Sequence, residues 1–258
     1  MSFIDYEVAA HVATITLADE QRRNALSEEL LGQLLEAVDE ADREPAVRVV
    51  VITNRGGVFC AGANLRERTP ESATVRPGAG MSELFTRIRS SKKIFVGRIA
   101  GHCVAGGVGL AAVTDISVAI DTATFGFSEV RLGVVPGIIS VVCLPKMRLA
   151  DAQQAMLRGQ RFSAEEAARI GLITCAVAGD LLDRAIDDVV TDLLAGEPAA
   201  LAATKELMYS VPTLEMDEAL RRMTDLSDSF FRSDQAREGV TAFFEKRPAS
   251  WVKRPTEA

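Results

Sequence analysis

Three short segments of this 258-residue chain hold residues whose types and spacing could do chemistry: FCAGANL at 59–65, AGHCVAGGVGL at 100–110 and FGFSEVRLGVVPG at 125–137. In the first two, small residues follow a strand-like run: Ala61, Gly62 and Ala63, then Ala105, Gly106 and Gly107. Where a chain turns from strand into helix without side-chain bulk, backbone N–H groups can point at a ligand oxygen. One such turn is common, and two could converge on one oxygen. Small residues also serve tight turns and close helix–sheet packing, and for either segment alone that reading stands level. In the third segment Glu129 is flanked by Phe125, Phe127, Val130 and Leu132. Apolar surroundings disfavour a charged carboxyl and raise its pKa, which suits proton exchange near neutrality. A Glu paired with Arg131 or simply solvated is the competing reading, and local sequence by itself favours it.

Other chemistries find less support. GVGLAA at 107–112 fits a dinucleotide-binding turn, with Asp121 ending the next strand. It lies near mid-chain, however, and Asp121 follows Gly107 by only 14 residues (121 minus 107). No G-x-S-x-G elbow occurs. His11 begins an alternating strand, where a surface role is expected. His102, four residues before Gly106, could line the same cavity, although a turn residue flanking a core strand is the commoner outcome. Cys60, Cys103, Cys143 and Cys175 form no C-x-x-C pair, so zinc-ligand spacing is absent, no metal is expected, and reduced thiols are the simple reading.

The elements that must position these segments alternate between strand and helix. Phe3 to Val8 and Val12 to Leu17 read as strands. A helix runs from a Ser27 N-cap through Asp42 with Leu30, Leu31, Leu34, Leu35 and Val38 on one face, and the strand VRVVVIT follows. After a polar loop at about 66–80 come a helix near Met81 to Ser90, the strand IFVGRIA, a glycine-rich turn at 101–109 and the strand DISVAI. A third unit opens with ATFGF, passes the irregular SEVRLGVVPG and continues through helical sequence to the strand LITCAV. Repeated units of this kind indicate an α/β protein with a layered or spiral core. From Leu181 onward the periodicity is helical throughout, and Phe230, Phe231, Phe243 and Phe244 there need a partner surface.

Composition sets the outer bounds. At 48% hydrophobic and 25% charged residues the chain is neither disordered nor disulfide-stapled. A net charge of −7 argues against a nucleic-acid or anionic-membrane partner, both of which call for clustered Lys and Arg. With no basic-then-apolar leader and no apolar run of membrane-spanning length, a cytoplasmic protein is expected.

Taken together and in order, these segments resemble the enoyl-CoA hydratase/isomerase (crotonase) family. The resemblance includes RRNALSEEL, VVVITNRGGVFCAGANL, GHCVAGGVGLAAVTDISVA, FGFSEVRLGVVPG, GQRFSAEEAARIGLI and FFEKRPASW. It implies a spiral of β-β-α units over residues 1–195 that binds CoA and carries the chemistry. Residues 196–258 would form a helical trimerisation region, giving homotrimers or trimers paired into hexamers. It places the oxyanion-hole amides at Ala63 and Gly106, with Glu129 as acid/base. It lays the CoA moiety along Arg23, Ala25, Leu26, Ala61, Ala63 and Leu65, with Lys246 of a neighbouring subunit as a phosphate or adenine contact. Arg22, Arg23, Arg66 and Lys246 would supply local positive charge. No separate cofactor is implied, because coenzyme A is part of the substrate.

Two positions depart from the family pattern. Gly109 stands where hydratases of the best-known type carry a second catalytic glutamate, and Asn64 replaces the common Asp. A single carboxyl can still move a proton between carbons, which is isomerisation, or take one from water and return it to the α-carbon, which is hydration. GGVGL and SEVRLGVVP are similar to segments of bacterial branched-chain hydratases, so hydration of a 2-enoyl-CoA is the favoured expectation. Isomerisation and a non-catalytic acyl-CoA-binding role are the alternatives.

Overall fold

The computed structural model describes residues 2–64, 67 and 79–252. The chain opens with β1 (Ile4–Ala9), β2 (Val12–Leu17) and α1 (Glu28–Arg43). Three further β-β-α units follow: β3 (Val49–Asn54), β4 (Val58–Cys60) and α2 (Ala79–Ser90); β5 (Ile94–Ile99), β6 (His102–Val104) and α3 (Gly106–Val113); β7 (Ile116–Ile120), β8 (Thr124–Gly126) and α4 (Gly137–Cys143). Then come α5 (Leu149–Arg158), β9 (Arg161–Ser163), α6 (Ala164–Arg169) and β10 (Cys175–Val177). The chain closes with α7 (Leu182–Ala195), α8 (Pro198–Ser210), α9 (Met216–Phe231) and α10 (Asp234–Glu245).

Each of the three later units gives its first strand to one sheet and its second to another, whereas β1 and β2 both join the larger sheet. The larger sheet runs β1-β2-β3-β5-β7-β10 and the smaller β4-β6-β8-β9. Apart from the antiparallel pairs β1/β2 and β8/β9, the strands are parallel. A chain that repeats strand, strand, helix with parallel neighbours winds forward as a spiral, and that is the expected α/β architecture.

Local sequence explains the elements. Ser27 caps α1 by accepting from Leu30 N–H at 3.1 Å, and Leu30, Leu31, Leu34, Ala37, Val38 and Ala41 are buried on its inner face. Strand β3 is buried along its whole length, because α1 covers one face of the sheet and α7 the other. Every residue of α3 is buried, so its run of Gly, Val, Leu and Ala is that of a helix enclosed on all sides. Helix α8 is anchored to the core by Lys205, whose Nζ lies 2.9 Å from Asp115 Oδ2 and donates to Ile88 O at 2.8 Å and Lys93 O at 3.0 Å.

Two expectations need correction. The stretch 101–109 is not one glycine-rich turn: it contains β6 and the first turn of α3. Within GQRFSAEE, strand β9 was not anticipated, since three residues give no readable alternation. Among the described residues no helix is long and apolar enough to cross a membrane.

Candidate active site

All three chemistry-bearing segments leave the C-terminal ends of β4, β6 and β8, which are adjacent parallel strands of the smaller sheet. Parallel strands carry successive loops to the same edge, so residues far apart in sequence meet there. Ala63, Gly106 and Glu129 stand within three residues of those strand ends.

The first turn is held amide by amide. Ala61 N–H donates to Arg23 O at 3.1 Å and Asn64 N–H to Leu26 O at 3.4 Å, while Gly62 O accepts from Leu26 N–H at 2.8 Å. Ala63 N–H has no protein acceptor among the described residues. Gly62 has φ +85°, a region that glycine enters without cost.

In the second turn Ala105 N–H donates to Gly126 O at 2.9 Å, and Val108 and Gly109 N–H turn to Ala105 O. Gly106 and Gly107 N–H are left without a protein acceptor among the described residues, at the positive end of α3. Ala105 adopts φ +49° and ψ −117°, a strained conformation for a residue with a Cβ. The two turns pack backbone to backbone: a Cβ at Gly62 would lie 2.8 Å from Val104 O and 3.0 Å from Gly106 N, and one at Gly107 only 2.2 Å from Cys60 O. Small residues here thus serve close packing, and they leave the Ala63, Gly106 and Gly107 amides without a protein acceptor among the described residues. Gly107 is already the second residue of α3, so GVGLAA forms the buried body of the helix and not the turn before it that a dinucleotide motif requires.

Glu129 begins a 3₁₀ turn over Glu129–Leu132. Its Oε2 is buried and unpartnered among the described residues. Burial raises its pKa above the ordinary carboxylate range, with its own backbone N–H partly offsetting the shift. Arg131 does not pair with it, because that guanidinium donates to Arg158 O at 3.2 and 3.3 Å. Phe125 and Phe127 are fully buried, whereas Val130 and Leu132 face solvent, so only half of the expected apolar setting holds. Cys143 of α4 is close enough for the Glu129 charge to be felt there.

Gly109 sits one turn into α3, and the space beside it is taken. A Cβ at this position would lie 2.5 Å from Ile139 Cγ2 and 2.9 Å from Phe85 Cζ. No second carboxylate fits there unless Ile139 moves. Leu26 and Met81 close over Gly106 in the same way, at 3.1 and 2.8 Å from a hypothetical Cβ.

The remaining sequence-derived positions divide. Arg23, Ala25, Leu26, Ala61 and Ala63 come together through the hydrogen bonds above and a parallel bridge between Leu26 and Ala63. Asn24 supports them, its Nδ2 donating to Val58 O at 2.7 Å and Arg55 O at 3.2 Å. Arg23 is exposed and available to an anion, whereas Arg22 lies 3.7 Å from Asp19 and over the ring of Phe3. Leu65 and Arg66 lie outside the described residues. Lys246 follows α10 and is exposed, and among the described residues its side chain makes no hydrogen bond or ion pair with the site of its own chain. His102 is occupied structurally: its Nδ1 takes Thr124 N–H at 3.0 Å and ties β6 to β8. His11 Nδ1 bonds Ala46 O at 2.8 Å, in the turn between β1 and β2. Cys60, Ile139, Phe85 and Met81 escaped sequence reasoning, and of these only Cys60 lay inside a motif.

Two strand-end turns with free amides and a third that carries a buried carboxyl oxygen lie side by side at this sheet edge. The enoyl-CoA hydratase/isomerase family model matches residues 7–254. A Thermus thermophilus relative is 35% identical over 245 residues, covering 92% of this chain and 96% of its own. An enoyl-CoA hydratase of Mycobacterium tuberculosis is 30% identical over 255 residues, 96% of each chain. The crystal structure of an enoyl-CoA hydratase from Mycobacterium smegmatis superposes with a TM-score of 0.91 at 28% identity, covering 98% of this chain and all of that one. This chain belongs to the enoyl-CoA hydratase/isomerase family, and its fold is the crotonase fold.

Proposed function

We propose that the protein is an enoyl-CoA hydratase with one catalytic carboxylate. The observation that carries this reading is that the unpartnered Ala63 and Gly106 amides and the buried, unpartnered Oε2 of Glu129 each follow the end of one of three adjacent parallel strands. The thioester oxygen of a 2-enoyl-CoA accepts from both amides. Glu129 takes a proton from water as the water oxygen adds to C3, and the electron pair moves through C2 onto the thioester oxygen. The enolate is stabilised by the two donors, each worth about 3–4 kcal/mol in such sites. Glu129, now protonated, returns its proton to C2, so hydration is complete and the carboxylate is restored. Its raised pKa matches this double duty.

CoA would lie along Arg23, Ala25, Leu26, Ala61, Ala63 and Leu65, with Lys246 reaching in from a neighbouring copy and no further cofactor. Residues 196–258 would build the homotrimer or hexamer, for which the exposed Phe231, Phe243 and Phe244 speak. We place the protein in the cytoplasm.

Double-bond isomerisation is the second reading, favoured by one observation: Ile139 and Phe85 fill the space at Gly109 where a second carboxylate could help hold water. Incubation with crotonyl-CoA and with a 3-enoyl-CoA, beside the Glu129→Gln variant, separates the two. Loss of conjugated-thioester absorbance with a 3-hydroxyacyl product establishes hydration, and a gain from the 3-enoyl ester establishes isomerisation. Acyl-CoA binding without either change would leave a non-catalytic binding protein.

A further inference from the structure

Among the described residues, three amides of the 61–64 turn, all but that of Ala63, find acceptors of two kinds. Ala61 and Asn64 N–H go to backbone carbonyls of the 23–26 loop, whereas Gly62 N–H goes to a side chain, Cys60 Sγ, at 3.4 Å. Gly62 O, on the other side of the same residue, is held by Leu26 N–H at 2.8 Å. The two bonds fix successive peptide planes. Because the Gly62–Ala63 peptide is trans and planar, holding its carbonyl toward Leu26 sends Ala63 N–H the opposite way. The Cys60 thiol fixes the plane before it.

Cys60 also touches the other turn. The nearest atoms to a hypothetical Cβ on Gly107 are Cys60 O at 2.2 Å, Cys60 C at 2.8 Å and Cys60 Cβ at 2.9 Å. The first turn of α3, which presents Gly106 N–H, therefore rests directly on this residue. Cys60 is fully buried and pairs in register with the equally buried Cys103. Burial pushes the Cys60 thiol up to about 12, so it stays neutral, an acceptor rather than a nucleophile.

We infer that Cys60 is a positioning residue: its thiol holds Gly62 N–H and its backbone seats Gly107, so that Ala63 and Gly106 N–H aim at one thioester oxygen. This rests on reading those amides as the oxyanion donors. The thiol could be replaced by a hydroxyl, which also accepts from Gly62 N–H, but not by a methyl group.

The full-length protein and its Cys60→Ala and Cys60→Ser variants test this by enoyl-CoA kinetics, thermal unfolding and difference infrared spectra of bound butyryl-CoA carrying ¹³C at the thioester carbonyl. Cys60→Ala is expected to lower kcat about tenfold with KM within about twofold, as loss of aim rather than of binding would do. The lowered carbonyl frequency of the bound ester should move back toward its solution value. Cys60→Ser should restore both to within about threefold. An unchanged kcat and carbonyl shift in Cys60→Ala overturns the assignment. So does an equal loss in both variants that tracks a fall in melting temperature, which would mark packing alone. If the wild-type protein shows no carbonyl shift, the oxyanion reading itself fails and the positioning role goes with it.

Discussion

The strand-end turns and the last two helices use their residues in opposite ways. Around Ala63 and Gly106 the side chains are minimal, backbones touch, and the single chain is packed to the limit at Gly107 and Gly109. Along α9 and α10 the side chains are large and their apolar faces are bare: Phe231 is 75% exposed and Phe243 and Phe244 are each 77% exposed. A cavity of about 740 Å³ opens between α8, α9 and α10, walled by Leu207, Met223, Leu226 and Phe230 among others. One region is closed within the chain, and the other leaves apolar surface uncovered. Chemistry needs donors held to fractions of an ångström, which contiguous backbone packing supplies, whereas assembly needs area.

The comparison breaks first at Glu129. Replacement by Gln keeps size and removes proton transfer, so turnover should fall about 100- to 10,000-fold with acyl-CoA affinity retained, read by steady-state kinetics and calorimetry. Retained activity would move the acid/base elsewhere.

Next comes the crowding inside α3. Gly109→Glu alone drives a side chain into Ile139 and Phe85 and should cost about 1–3 kcal/mol of stability in denaturant unfolding. Combining it with Ile139→Gly should recover much of that loss, leaving a coupling of about 1–3 kcal/mol in a double-mutant cycle. Additive effects would show that the two positions do not share the space.

The raised pKa of Glu129 gives a pH test. A group that must be ionised to start the reaction loses activity as pH falls through its pKa, so the acid limb of kcat/KM should be shifted upward from that of an unburied glutamate. The stability sign is opposite to that of a salt-bridged carboxylate. Burying the ionised form opposes folding above the raised value, and the penalty vanishes below the unfolded pKa. Glu129→Gln should therefore flatten the fall in stability as pH rises through that window.

The smallest effect on the fold is expected at the far end. Phe243→Ser with Phe244→Ser should alter the sedimenting mass of the protein while changing the stability of the individual chain by only about 0.5 kcal/mol per site. An unchanged mass would remove these rings from the assembly surface.

Much of this arrangement was legible in the chain. Alternating and helical periodicities located β1, β2 and α1 to within a residue or two and marked the chain from Leu181 onward as helical, because each pattern repeats over six or more residues. The strands β4, β6 and β9 have three residues each, too few to show a period, and two of them lie beneath the site. The small triplets marked both donor turns, and Glu129 stood out by its apolar neighbours, although Val130 and Leu132 turned out to face solvent.

By itself the sequence determined which residue types could act and the periodicity of the frame that carries them, because amphipathic spacing and missing side chains are local properties. Tertiary structure alone decided that Ala63 and Gly106 N–H remain free and that Ile139 fills the place beside Gly109. Those facts depend on residues far apart in the chain meeting in space, Leu26 with Gly62 and Gly109 with Ile139 among them, and nothing in local composition encodes a distance.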